Sequence, residues 1–388
     1  MWEGIDEMDN MPSQRRALCR NGPDRPGIQM LLTLATSIVS IILAMIVGAI
    51  IIRLMGISPS QAYLALFKGA FGSRNSIGES LVKAVPHIFT GLSFAFAFRC
   101  GLINLGAEGQ LHMGALASVV VAVYVKGLPA FIHLPLALAA GFIGGGLWGL
   151  LAGWFRVKYG ASEIITTIIL NYVATLWVNY LVAGPLKEPP GIFPQSPMVE
   201  VSAQLPRILA GTRLHLGLIV AFGFLAVFYT LLWRMPRGFE LRVVGQNPRA
   251  AAYAGMNADS TRLLAMFLAG GMGGLAGSCE MLGIQLRLRQ GISPGYGFSG
   301  LAVALLGGNA PIGVLLSAIL FGALRAGGNM MQMMSGVSAA LTDIIQGIII
   351  LFVLAQNTFR LKGRSFLGKL LGRDSHSAST AGIGGLES

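Results

Sequence analysis

Long apolar stretches alternate with short polar ones along most of this chain. The first apolar stretch, residues 28–52, carries no charge and is longer than the apolar region of a cleaved signal peptide. Such stretches predict membrane-spanning helices, and we place ten at about 28–52, 81–98, 106–125, 134–155, 163–184, 214–233, 261–283, 297–306, 312–326 and 338–358. The pattern therefore predicts an all-α polytopic membrane protein.

Two of these segments are predicted to be halves of a broken helix. Residues 290–324 contain no charge, but the run GGNAP at 307–311 interrupts them. A glycine pair and a proline end helices, so the stretch divides into two short segments.

The composition agrees with a membrane protein. Hydrophobic residues make up 54% of the chain and charged residues only 11%, whereas soluble domains carry about 25% charged residues. The 53 glycines fit helices that pack closely through small residues. The three cysteines show neither metal-ligand spacing nor a disulfide framework.

The net charge of +12 predicts orientation rather than nucleic-acid binding, because the basic residues flank apolar segments. With a cytoplasmic N-terminus, 17 of the 28 Lys and Arg residues fall inside. We therefore expect cytoplasmic tails at 1–27 and 359–388, flanking a transmembrane domain at 28–358.

A polar run between two apolar stretches, RCGLINLGAEGQLHMG at 99–114, is the first candidate site. A membrane interior tolerates such a run only where protein or water satisfies it. Asn104, Glu108 and Gln110 could exchange hydrogen bonds with a neutral polar solute. For Glu108 the alternative is an internal tie, to Arg99 or to backbone amides.

Three further polar residues are candidates for the solute pathway. Asn171 and Tyr172 lie in the middle of an apolar segment, where an interhelical hydrogen bond is the alternative role. Ser299 flanks the second break. Arg325 and Asp343 are predicted to pair on the outer side, in preference to a proton relay.

The predicted cytoplasmic loop at 235–259 contains a short helix. Asn247 suits the N-cap, Pro248 the first helical position and Gly255 the left-handed stop. Its small apolar surface would suit a partner's groove, and a solvated turn is the alternative. The candidate docking residues are Gly245, Asn247, Pro248, Ala251, Ala252 and Gly255.

Four segments, in order, resemble the permease subunits of ABC importers for branched-chain amino acids, ribose and nucleosides. They are GLINLGAEGQLHMGA at 101–115, ASEIITTIILNYVA at 161–174, GQNPRAAAYAGM at 245–256 and GFSGLAVALLGGNAPIGVLLSAILFGAL at 297–324. The LGAEGQ wording is most similar to the nucleoside type, which depends on a basic-membrane-protein-type lipoprotein. The resemblance implies transport of nucleosides across the inner membrane, with ribose-type sugars or branched-chain amino acids as the alternative.

The resemblance also implies partners. The permease is not an enzyme and binds no cofactor; a separate ATPase hydrolyses ATP and docks on the coupling loop, and no phosphate-binding GxxxxGK[ST] loop occurs in this sequence. An extracytoplasmic binding protein delivers the solute, and a second permease, homologous or identical, completes the pore.

Inverted repeats are expected in this family. Here the run from Arg99 through Gly109 is echoed by the run from Arg289 through Gly297, and a chance similarity of the two runs is the alternative. An ion-coupled secondary transporter and a structural or signalling membrane protein remain as alternatives of other classes.

Overall fold

The computed structural model describes residues 26–338 and 340–352, and within them the chain forms thirteen α-helices and no β-strand. The helices are α1 (Pro26–Leu54), α2 (Pro59–Phe71), α3 (Arg74–Arg99), α4 (Ala107–Tyr124), α5 (Ala130–Tyr159), α6 (Glu163–Ala183), α7 (Gly217–Arg234), α8 (Pro236–Gln246), α9 (Pro248–Tyr253), α10 (Ala258–Glu280), α11 (Tyr296–Leu306), α12 (Pro311–Ser335) and α13 (Ala340–Phe352). A π-helical turn, Met281–Gln285, follows α10. Six of the described helices are long and apolar enough to cross a membrane: α3, α5, α6, α7, α10 with its π-helical turn, and α12.

The chain divides into two compact units. The larger, residues 44–354, contains α2 to α13 and the C-terminal part of α1; in the smaller, the described residues form the N-terminal part of α1. The predicted tails at 1–27 and 359–388 lie outside the described residues, except that 26 and 27 begin α1.

Within the described residues each of the ten predicted segments overlaps a helix, the last of them over 340–352, and three differences stand out. The helix α8 lies in the predicted loop at 235–259, where only the short helix at 247–255 was expected. The helix α2 was not predicted, because Ser60, Gln61, Lys68 and Gly69 interrupt its apolar pattern. The helix α3 begins at Arg74 rather than near 81, because Ser73 caps it by accepting a hydrogen bond from the Ser76 N–H at 3.1 Å.

The core is built where α4, α5 and α10 pack backbone against backbone. A Cβ on Gly145 of α5 would lie 2.5 Å from the carbonyl oxygen of Gly270 and 2.6 Å from the Cα of Gly274, both in α10. A Cβ on Gly114 of α4 would lie 2.5 Å from the carbonyl oxygen of Gly274. Close contact of this kind replaces the hydrophobic force that lipid does not supply between helices.

The proline-rich loop between α6 and α7 packs against the segment that follows α10. The Ser196 N–H donates to the carbonyl of Leu288 at 2.7 Å, and the Val199 N–H donates to that of Leu286 at 3.0 Å. Arg213 in the same loop forms a bidentate pair with Glu79 of α3, at 2.6 Å for both contacts, and these hydrogen bonds raise the pKa of Arg213. The loop is thus hydrogen-bonded both to the segment that follows α10 and to α3.

Candidate functional site

The polar run found in the sequence contains a non-helical segment, residues 100–106, between α3 and α4, and we call this segment the first break. Gly101 in this break adopts φ +73°. Gly291, in the segment between the π-helical turn and α11, adopts φ +68°. Both positive values lie in the left-handed region that glycine enters without a steric cost. The two related runs therefore share a backbone conformation at the same position, each followed by a helix, α4 or α11, that starts after a glycine.

A reciprocal pair of amides fills the first break. The Asn104 side chain donates to Oε1 of Gln110 at 3.0 Å, and the Gln110 side chain donates back to Oδ1 of Asn104 at 3.0 Å. The Asn104 amide also donates to Ser93 Oγ at 3.1 Å, and its oxygen accepts from the Gly106 N–H at 3.0 Å. These side chains are almost completely buried, so the network satisfies polar groups that would be costly unpaired.

Glu108 lies where the N-terminal ends of α4 and α11 meet, and we treat these two helices as the half-helices of the candidate site. Its carboxylate accepts from the N–H of Gly297, in the first turn of α11, at 2.6 Å, and the residue is 6% exposed. A Cβ on Gly297 would lie 2.7 Å from the carbonyl carbon of Ala107, so the two helix N-termini are in backbone contact. A carboxylate is favourable there because both N-termini carry partial positive charge. Its contact is with a backbone amide and not with Arg99.

Asn171 connects α6 to the same break. Its Oδ1 accepts from the Gly109 N–H at 2.8 Å, and its Nδ2 donates to the carbonyl of Leu105 at 2.8 Å. Tyr172 is 67% exposed and lies on the outward face of α6. Ser299 lies one turn into α11, where its hydroxyl is 3.1 Å from Nδ1 of His87.

Four of the six sequence-predicted pathway residues are therefore brought together, and two lie apart. Asn104, Glu108, Gln110 and Asn171 surround the first break, whereas Ser299 lies in α11 and Tyr172 faces away. Sequence reasoning missed Ser93 and Gly297 as partners. Their only sequence signal was a small residue in an apolar stretch, which many positions of this chain share.

The short helix in the loop between α7 and α10 has the predicted caps. Asn247 Oδ1 accepts from the Arg249 N–H at 3.1 Å and the Ala250 N–H at 3.2 Å, and Gly255 adopts φ +80° after the helix. Tyr253 is 95% exposed. Ala251, which we predicted on the docking surface, is completely buried because its face of α9 turns inward, whereas Ala252 and Gly255 are exposed.

A second backbone contact joins this loop to the first break. A Cβ on Gly101 would lie 2.9 Å from the carbonyl oxygen of Gly245, at the C-terminal end of α8. Arg99, two residues before Gly101, donates through Nε and Nη2 to the carbonyl oxygen of Asn309 at 3.3 and 2.9 Å. Its guanidinium also lies 5.4 Å from the centroid of the Trp233 ring. The loop, the first break and the turn between α11 and α12 are thus in direct contact.

The predicted pair of Arg325 and Asp343 is confirmed. Arg325 of α12 donates through Nη1 to Oδ1 of Asp343 of α13. The pair cancels the two charges of this region.

Comparison with known proteins places the chain among transport proteins. The family model described as "Branched-chain amino acid transport system / permease component" matches residues 76–354. The guanosine ABC transporter permease protein NupP of Bacillus subtilis is 40% identical over 347 residues, covering 88% of this chain and 98% of that protein. The glucose ABC transporter permease protein TsgB13 of Haloferax volcanii is 36% identical, covering 90% and 95%, and the nucleoside ABC transporter permease protein NupB of Lactococcus lactis is 34% identical, covering 81% and 89%.

Proposed function

Because this chain belongs to the family of branched-chain amino acid transport system permease components, and is thus a multi-pass membrane permease and not an enzyme, we propose that it carries nucleosides. As the permease of an ATP-binding cassette importer, it works with an ATPase and a substrate-binding protein. The observation that supports the solute is the similarity, over at least four fifths of the chain, to one relative named for guanosine and another named for nucleosides.

The glucose permease among the relatives makes a sugar the second candidate. An uptake assay separates the two. We expect the complete transporter in liposomes, supplied with ATP and the binding protein, to accumulate labelled guanosine in preference to glucose, ribose or leucine. Uptake of a sugar with none of guanosine would refute the nucleoside assignment. Uptake that survives ATP depletion but stops when the ion gradient is collapsed would indicate an ion-coupled transporter instead.

We place the solute path beside the junction of α4 and α11. The two half-helices meet there backbone to backbone, and broken helices that meet near the midplane form solute sites in other transporters. Asn104 and Gln110 are proposed to exchange their present partners for the solute's hydroxyl groups, and Ser299 is proposed to line the path from α11. The buried carboxylate of Glu108 holds the junction together, and Asn171 positions the first break from α6.

The exposed surface of α9 is the proposed docking site for the ATPase. The contact between Gly245 and Gly101 is the proposed route by which a movement of the ATPase reaches the solute path. The ATPase would meet Tyr253, Ala252 and Gly255, which are exposed. Movement of this loop would reach the first break through Gly245. From there it would reach the turn between α11 and α12 through the hydrogen bond of Arg99 to the carbonyl of Asn309. Asn247 and Pro248 shape the helix that bears the surface.

The remaining parts of the proposal concern the membrane setting. We propose an inner-membrane location with both termini in the cytoplasm, which puts α9 on the ATPase side. A second permease, homologous or identical, would complete the pore. The outward face of α6 is available to it or to lipid, since Tyr172, Leu176 and Tyr180 are each more than 60% exposed.

A further inference from the structure

A cavity of about 300 Å³ lies beside the N-terminal end of α11, and none of its lining residues belongs to the amide network of the first break. It is enclosed by α3, α11, α12 and α13. His87, Tyr296 and Gln346 form its buried part, whereas Phe298, 51% exposed, and the side chain of Asp343, 52% exposed, lie at its rim. The cavity is therefore open at one end and closed by buried side chains at the other. Its volume is at the lower end of the range for small-molecule sites, about 300–1,000 Å³.

On two residues that line this cavity, one buried polar atom each has no hydrogen-bond partner among the residues that the structure describes. They are Nε2 of His87 and Nε2 of Gln346, on residues that are 2% and 6% exposed. Leaving a buried donor or acceptor without a partner is unfavourable, and such groups in native proteins call for an explanation. Both atoms are on residues that line the same space, although the nitrogens themselves are covered in the present rotamers. An occupant toward which the His87 ring and the Gln346 amide turn would satisfy both together.

The hydrogen bond of His87 to Ser299 fixes what an occupant must offer. The Ser299 hydroxyl is 3.1 Å from Nδ1 of His87 and also lies within 3.2 Å of the carbonyl oxygens of Gly295 and Tyr296. If the hydroxyl donates to a carbonyl, Nδ1 donates to the hydroxyl and Nε2 is an acceptor; if the hydroxyl donates to Nδ1, Nε2 is a donor. In either tautomer Nε2 takes one hydrogen bond, while Gln346 Nε2 donates.

The rest of the lining favours a neutral molecule with a flat ring. Among the described residues that line the cavity, the charged ones are Arg325 and Asp343, and they pair with each other. The His87 ring stands edge-on to Tyr296, at 5.2 Å between centroids and 85°, and to Phe321, at 5.8 Å and 74°. These rings form an aromatic part of the lining, which also contains the two residues with an unpartnered nitrogen, and such a lining suits a flat ring that bears both a donor and an acceptor.

We propose that this cavity is a second solute site, which binds the heterocyclic base of a nucleoside through His87 and Gln346. The inference rests on the proposed function for the identity of the solute. A nucleobase has the required flat ring, lacks net charge and carries donors and acceptors on its edge. The ribose would extend toward the open end, past Phe298 and Asp343.

The first test is the substitution Gln346→Leu, which keeps the approximate size of the side chain and removes the amide. We expect the purified membrane complex of permease and ATPase, without the binding protein, to bind labelled guanosine about tenfold more weakly after this change. The melting temperature should stay equal or rise, because the variant loses an unpartnered buried amide. Gln332→Leu, at an exposed position of α12 outside the cavity, is the matched control and should bind as the parent does.

The second test is protection of a cysteine at the rim. In a background with Cys19→Ser, Phe298→Cys should react with a water-soluble thiol reagent, and guanosine should slow that reaction at least threefold. Phe131→Cys, at a 77% exposed position in the first turn of α5, should be unaffected by guanosine. The other native cysteines, Cys100 and Cys279, are buried.

The outcomes separate the two proposals. Weaker binding by Gln346→Leu together with protection of Phe298→Cys supports the site. If the complete transporter takes up guanosine but neither variant responds, the cavity holds water only, and this inference fails while the proposed function stands. If the complete transporter takes up a sugar or leucine and not guanosine, both fail.

Discussion

Replacing Gly245 by alanine places one methyl group in the contact between α8 and the first break. The new Cβ would lie 2.8 Å from the carbonyl carbon of Cys100 and 2.9 Å from the nitrogen of Gly101, and it would overlap with the carbonyl oxygen of Arg99. Ordinary van der Waals contact begins at 3.4 Å. All these neighbours are backbone atoms, so no side-chain rotation relieves the overlap, and α8 must separate from the break by at least about 0.6 Å.

The expected effect is loss of transport with an intact ATPase site. Overpacking of this kind costs about 1–3 kcal/mol. If that cost falls on the state in which the loop and the break move together, uptake per ATP hydrolysed should fall by about 5- to 150-fold. Uptake of the labelled solute and phosphate release, measured in the same proteoliposomes, give this ratio directly.

Two other variants distinguish transmission from docking and from misfolding. Gly223→Ala on α7 is the matched control, because nothing lies within 4 Å of its Cβ, and its uptake should be unchanged. Tyr253→Glu changes the exposed surface of α9 and should weaken capture of the ATPase, whereas Gly245→Ala should leave capture intact. An unchanged uptake-to-hydrolysis ratio for a folded, ATPase-bound Gly245→Ala variant would refute transmission through this contact.

Three further predictions follow from the two breaks. Glu108→Gln keeps an acceptor for the Gly297 N–H but removes the charge between two helix N-termini, so the complex should lose about 1 kcal/mol of stability. Glu108→Ala removes the acceptor as well and should cost about 2–3 kcal/mol. Equal melting temperatures for the parent and both variants would contradict this prediction. Asn171→Leu removes one hydrogen bond from α6 to α4 and one from α6 to the first break, and should lower stability by about 1–2 kcal/mol in detergent unfolding. Tyr172→Leu, on the exposed face of α6, should change stability little, and the reverse order would be evidence against the structure's assignment of the two faces. Arg99→Lys cannot reproduce the two donors on the Asn309 carbonyl or the contact with Trp233. Uptake should therefore fall about fivefold while capture of the ATPase stays normal. Uptake equal to that of the parent would show that the contact of Arg99 with Asn309 is dispensable.

Much of the fold was predictable because lipid imposes a simple rule on the sequence. An apolar stretch of sufficient length must be a helix, since unpaired backbone groups are too costly in hydrocarbon, and over the described residues every predicted segment overlaps a helix. Local capping was equally predictable: the Asn247 side chain caps the start of the short loop helix, and Gly255 follows its end in the left-handed conformation. The helix α2 was missed because its interrupted pattern resembles that of a loop.

The contacts of the site were not predictable, because they depend on which glycine faces which helix. Nothing in the sequence pairs Gly297 with Glu108, 189 residues away, or Gly245 with Gly101. The chain has 53 glycines, and the sequence marks none of them as a junction. Ala251 shows the same limit on a smaller scale: one turn of helix decides which alanine faces a partner, and only packing fixes its rotation.

The proposed transport mechanism gains its rigidity from these glycines. A contact through side chains can absorb a small movement by changing rotamers, whereas a contact between two backbones cannot. Gly245 lies against Gly101, and Gly297 against the first turn of α4, so the loop and both half-helices are joined without an intervening side chain. A displacement of α9 of even a few tenths of an ångström must therefore either reach the junction at Glu108 or bend the seven-residue break between α3 and α4. The internal amide network of Asn104 and Gln110 stiffens that break against bending, which directs the displacement to the place where the solute is proposed to pass.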